Sequence, residues 1–155
     1  MKEKLLYFGS YVLVAMLATV VPLTMVRLEG GLKPSKLDQL ESLALAGYTE
    51  IIDPELVLAY HSQGKEIYWQ FRDYEVPGAR ELGEEFARLS GYTLADTPYE
   101  SSFAGYKDWF IQNFRRPGFT IEVGQGENPL PLAQFDEIYR DNLGILVTAA
   151  LGLPE

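Results

Sequence analysis

Two side chains stand where chemistry needs them. His61 is the only histidine among 155 residues, and it closes the apolar run Glu55-Leu-Val-Leu-Ala-Tyr-His-Ser62. A short apolar run reads as a buried strand, and in open α/β sheets binding groups sit just beyond the carboxyl ends of strands. Glu122 is the second. It lies in Phe119-Thr-Ile-Glu-Val123, where period-two alternation puts Phe119, Ile121 and Val123 on one face and Thr120 and Glu122 on the other. A carboxylate in so apolar a strand is expensive to bury unpaired. Two explanations stay open here. Either this is an edge strand with Glu122 in water, or Glu122 faces the interior and desolvation raises its pKa toward that of a general base. Taken alone, His61 reads as an ordinary structural histidine.

The elements that must position them follow from periodicity and punctuation. Tyr106, Phe110 and Phe114 recur at i, i+4, i+8, one stripe of a helix. Pro117-Gly118 stops it before the Glu122 strand. Gln63-Gly64 turns the chain after His61, and Glu66 to Phe71 reads as a further strand. Upstream, Ser35 is an N-cap with Asp38 in capping-box position. Leu37, Leu40 and Ala44 make an amphipathic helix that Gly47 is expected to close. Pro77-Gly78 opens another helix with Leu82, Phe86 and Leu89 on one face and Gly91 as its stop. Its charges (Arg80, Glu81, Glu84, Glu85, Arg88) read as a solvated face. Tyr92 to Phe103 reads as loop. The last helix is expected from about Leu132 to Leu151, with Phe135, Ile138, Leu146 and Ala149 inward. Helices alternating with strands indicate an α/β domain.

The pair His-Ser-Gln-Gly (61–64) and Gly-Tyr-Lys-Asp-Trp…Phe-Thr-Ile-Glu (105–122) resembles the carboxypeptidase A-type family of zinc carboxypeptidases. The bacterial branch that includes γ-D-glutamyl-meso-diaminopimelate peptidases is nearest, and Pro-Gly-Phe-Thr-Ile-Glu-Val-Gly and Asn-Pro-Leu-Pro-Leu (128–132) add to the match. The resemblance covers about residues 53–152. It implies a partial zinc-carboxypeptidase-like mixed sheet flanked by helices. It also implies zinc as cofactor, a peptide or cell-wall peptide substrate, His61 as the last zinc ligand and Glu122 as general base. Such a site hydrolyses peptides with metal-polarised carbonyl and water. Two substrate-binding roles are also implied. Tyr99 is the candidate for a mobile-loop tyrosine, although its spacing to Asp108-Trp109 is one residue long, and the alternative is an ordinary loop aromatic. Lys107, just before the Asp-Trp pair, would lie at the base of the specificity pocket, where an ammonium would attract an acidic substrate group. Its alternative is a solvent-facing lysine.

The chain departs from the family pattern in its ligands. A catalytic zinc site takes three protein ligands. The His-x-x-Glu motif and the Asn-Arg carboxylate grip of the family are absent, and neither a second histidine nor any cysteine exists to substitute. The chain therefore reads as the carboxyl-terminal half of such a domain, inactive alone. A complementary half-domain or a homodimer is the partner that would complete it. The alternative is a membrane-anchored, non-catalytic binding or interaction module derived from the peptidase fold.

Residues 1–30 form an apolar N-terminal segment ahead of a domain over 31–155. Leu5 to Val26 carries no charge, close to the ~20 residues that span a bilayer, and Lys2 and Lys4 precede it. Two readings stay open: a membrane anchor, which places the domain outside the cytoplasm, or a helix and strand buried in the domain, which leaves it cytoplasmic. A net charge of −9 argues against nucleic acid as a partner. With 47% hydrophobic residues the chain can bury a real core.

Overall fold

The computed structural model describes residues 12–15, 40–102 and 105–152. Five strands and four helices build one mixed sheet with helices on both faces. In chain order they are β1 (Val12–Ala15), α1 (Leu40–Ile52), β2 (Leu56–His61), β3 (Glu66–Tyr68), α2 (Ala79–Ser90), β4 (Thr93–Ala95), α3 (Tyr106–Phe114), β5 (Gly118–Glu122) and α4 (Phe135–Leu151). Two 3-10 turns, Tyr99–Ser101 and Leu132–Gln134, precede α3 and α4. The sheet order is β1-β2-β5-β3-β4. β1, β2 and β5 run parallel, β3 is antiparallel to β5, and β4 is parallel to β3.

Alternation along the strands decides what each face does. Leu56 and Leu58 of β2, Ile67 of β3 and Phe119 and Ile121 of β5 share one face and join Phe86, Tyr92 and Ile145 in the main core under α2 and α4. Phe86 meets Phe119 edge-on at 5.0 Å between centroids. The opposite face carries Val57, Ala59 and His61 beside Gly118, Thr120 and Glu122. α3 packs on its lower half. A Cβ at Gly118 would sit 3.3 Å from both Ile111 Cγ1 and Val57 Cγ2. Glycine there lets the helix approach the strand. α1 joins α3 through a 2.8 Å hydrogen bond between Thr49 Oγ1 and the Tyr106 hydroxyl. The upper half of this face, at the carboxyl ends of β2 and β5, is where His61 and Glu122 emerge.

Several expectations need correction. α1 runs through Gly47 and stops at Asp53, which takes a left-handed φ of 47° and returns its N–H to Thr49 O at 2.9 Å. Pro54 then forbids continuation. Ala44 is exposed, and the expected Ser35–Asp38 cap lies outside the described residues. β3 ends at Tyr68, short of Phe71. The stretch read as loop holds β4, a three-residue edge strand too short for periodicity to reveal. Phe135 faces outward, 58% exposed. α4 carries two apolar stripes, and the other one, with Ile145, Leu146 and Ala149, turns inward together with the polar Asn142.

Within the Leu5 to Val26 stretch, Val12–Ala15 are extended and paired with β2. The other residues of that stretch lie outside the described ones. Among the described residues no helix is long and apolar enough to cross a membrane.

Candidate active site

β5 sits between β2 and β3, so Glu122 has a register partner on each side. His61 of β2 pairs with it in the parallel ladder, and Glu66 of β3 pairs with it in the antiparallel one. Directly opposite residues in a sheet point to the same face. The three therefore form a row, each about 4.8 Å from the next along the hydrogen-bonding direction.

The backbone around the row is tied down. The Val123 N–H donates to His61 O at 2.9 Å, and the Gly64 N–H donates to Gly124 O at 3.0 Å. Ser62 and Asn128 exchange hydrogen bonds: Ser62 Oγ donates to Asn128 Oδ1, and Asn128 Nδ2 donates to Ser62 O, both at 2.9 Å. Asn128 thus joins the rim from the Asn-Pro-Leu-Pro-Leu segment. Gly64, at φ 143°, packs beneath the carboxylates, because a Cβ there would lie 3.6 Å from Glu122 Cβ and 3.7 Å from Glu66 Oε2.

Burial and the Glu66 carboxylate together push the Glu122 pKa up to about 7. Desolvation is the larger cause, and repulsion between two carboxylates adds to it. The Tyr68 hydroxyl donates to Glu66 Oε2 at 2.5 Å. That bond, burial and the nearby charges of Glu66 and Glu122 lift the Tyr68 pKa to about 12. His61 is exposed at the rim, yet enough of its ring is withdrawn from water for burial to lower the imidazole pKa. A neutral imidazole beside a carboxyl near neutrality can ligate a metal or exchange protons, and the carboxyl can take a proton from water.

Lys107 and Tyr99 do not join this row. Lys107 shares the sheet face but lies over Gly118, four residues and roughly 13 Å along β5 from Glu122. It is 3% exposed, so the solvent-facing reading fails. Its ammonium donates to Gln70 O at 2.6 Å, Thr97 Oγ1 at 3.2 Å and Asp108 Oδ1 at 2.5 Å. Those three acceptors use all three of its protons. Burial lowers the Lys107 pKa and raises that of Asp108, while the contact between them favours the ionised pair. Tyr99 is 69% exposed on its 3-10 turn. The neighbours that sequence reasoning did not place are Glu66 and Tyr68. Their Glu-x-Tyr spacing puts them on one strand face, but only the sheet order shows that this face adjoins Glu122.

Gamma-D-glutamyl-L-diamino acid endopeptidase 1 of Lysinibacillus sphaericus is 50% identical to this chain over 118 residues, 76% of the chain and 29% of that protein. Uncharacterized protein YqgT of Bacillus subtilis (strain 168) is 39% identical over 112 residues, 72% of the chain and 30% of that protein. The chain thus spans under a third of the length of these relatives. Bovine thrombin-activatable fibrinolysis inhibitor, solved in complex with tick carboxypeptidase inhibitor, superposes over 72% of the chain and 43% of its own at a TM-score of 0.55 and 15% identity. Murein-tripeptide amidase MpaA from Escherichia coli O157 superposes over 74% and 42% at a TM-score of 0.51 and 20% identity. No family model matches the chain. Over 118 residues the chain is thus a homologue of the Lysinibacillus endopeptidase, and its mixed sheet and flanking helices are carboxypeptidase-like.

The zinc that the sequence resemblance implies would need a ligand set that the described residues do not supply. Among them no three His, Asp or Glu side chains gather into a metal-holding group. His61 offers one nitrogen donor, and Glu66 sits on the far side of Glu122, roughly 10 Å from it. A catalytic zinc site takes three protein ligands, so the described residues alone do not fit one.

Proposed function

We propose that this chain carries part of a peptidase site for cell-wall γ-D-glutamyl–diamino acid peptides, with Glu122 as general base and His61 as one metal ligand. The observation that carries the reading is the register pairing of His61 with Glu122 at the carboxyl ends of parallel strands, in a chain half identical to an endopeptidase over 118 residues. Zinc, held by His61 and ligands beyond the described residues, would polarise the scissile carbonyl and its water. Glu122 would accept the proton of that water and hand it to the leaving amine. A carboxyl whose pKa stands at about 7 is suited to both transfers near neutral pH. Gly64 and the Ser62–Asn128 hydrogen bonds hold the rim while this occurs.

A second reading, a non-catalytic domain that binds wall peptides, is favoured by the lack of a three-donor group among the described residues. Calorimetry of the chain with a γ-D-glutamyl-L-diamino acid peptide, run beside a cleavage assay with added zinc, tests both. The peptidase reading expects His61→Ala to weaken zinc binding and Glu122→Gln to leave it unchanged. Peptide binding that neither substitution nor zinc alters would favour the second reading and count against the first.

A further inference from the structure

Lys65 holds an unfavourable backbone position beside the site. Its φ of 53° is left-handed for a residue with a side chain, directly after Gly64 at 143°. It lies in the turn from β2 to β3, four residues after His61 and immediately before Glu66. Strain of this kind persists where the surroundings fix it, and Lys65 is fixed from three sides. Its Nζ donates to Glu137 Oε1 at 2.6 Å and Asp141 Oδ2 at 3.2 Å, two acids one turn apart on α4. The ammonium also lies 5.8 Å from the centroid of the Tyr92 ring. Its carbonyl accepts the Thr93 N–H at 3.0 Å, at the start of β4.

The segment after β5 is seated on the same helix. Gln134, adjoining α4, accepts from the Gln125 N–H at 3.0 Å and donates to Gln125 O at 2.7 Å. α4 and the 3-10 turn leading into it therefore brace the two stretches that adjoin the site residues: the turn after His61 and the loop after Glu122. An isolated surface ion pair contributes little. Here one ammonium serves two acids and a ring, with the Lys65 and Asp141 side chains only 25% and 22% exposed.

We propose that Lys65 is a positioning residue, whose clamp onto Glu137 and Asp141 of α4 fixes where His61 and Glu66 sit relative to Glu122. The hydrogen bonds of its ammonium go to α4 and not to the side chains of these three. Its importance for turnover rests on the peptidase reading, but the clamp itself does not, so the test reads local structure.

Hydrogen exchange would be measured on the full ¹⁵N-labelled chain at the Gly64 and Val123 amides, together with the ring-proton shifts of His61. Lys65→Met should speed exchange at both amides about tenfold or more and move the ring shifts, with the Phe119 and Ile121 amides unchanged. Lys65→Arg should restore the original values. If Lys65→Met does not fold, Glu137→Gln/Asp141→Asn releases the same clamp and should give the same pattern. Unchanged Gly64 and Val123 exchange in a folded variant would overturn the proposal. So would equal acceleration at Phe119 and Ile121, or no restoration by arginine. Failure to cleave peptide would bear on the peptidase reading alone.

Discussion

Glu66 and Glu122 face each other across the antiparallel β3–β5 pair, two carboxylates at one register position. Like charges directly opposite in a sheet repel, and desolvation adds to the effect at Glu122. Carbon-13 NMR of the glutamate carboxyls should therefore find one midpoint near 7 in the native chain. Glu66→Gln should lower that midpoint part of the way toward the ordinary glutamate value, because burial, the larger cause, stays. A midpoint unmoved by Glu66→Gln would mean the two carboxyls do not sense each other.

The same shift makes stability depend on pH. The Glu122 pKa is raised on folding from 4.5 to about 7, so the folded state holds this proton more tightly than the unfolded one. Its contribution is fully present below about pH 4.5, declines as pH rises toward 7, and is lost above that. Glu122→Gln removes the term. Urea denaturation at pH 5 and pH 8 should show the variant gaining on the native chain by about 1–3 kcal/mol at the higher pH. A difference that is constant or of opposite sign would contradict the buried carboxyl.

Lys107 and Asp108 form a pair with side chains 4% and 6% exposed. Removing one partner of a buried ion pair leaves the other charge without compensation and typically costs about 3–5 kcal/mol. Lys107→Met should lose stability on that scale in chemical denaturation. Adding Asp108→Asn to it should return part of the loss. A Lys107→Met variant as stable as the parent would show the ammonium to be free of this pair.

Trp109 is half-buried, stacked on Tyr106 at 6.0 Å and meeting Phe114 edge-on at 5.6 Å. The loss for Trp109→Ala should be about 1–3 kcal/mol, below that of a fully enclosed ring. Thermal melts of the two chains measure it directly.

What was legible in the sequence was local. Pro117-Gly118 and Gly91 announced real stops, and alternation put Glu122 on the face opposite Phe119 and Ile121. The two motifs also pointed to the peptidase homologue and the carboxypeptidase-like fold. Topology was not legible. Placing β5 between β2 and β3 is a long-range outcome, and it alone puts Glu66 beside Glu122. Amphipathic pattern also misled for α4, where Phe135 belongs to a stripe of Tyr139, Leu143, Val147 and Leu151 that faces out. Both stripes are apolar, so hydrophobicity could not choose between them. The fate of Lys107 depended on Gln70 and Thr97, 37 and 10 residues away, which no local motif connects to it.

The most direct measurement uses a chimera in which this chain's matching segment replaces the corresponding 118 residues of the Lysinibacillus endopeptidase. Hydrolysis of a γ-D-glutamyl-L-diamino acid peptide would be compared across three forms of the chimera. The account predicts cleavage by the parent chimera, a loss of about 10²–10⁴-fold with Glu122→Gln at unchanged metal content, and loss of both metal and cleavage with His61→Ala. A folded, active chimera whose turnover is indifferent to Glu122→Gln would contradict it.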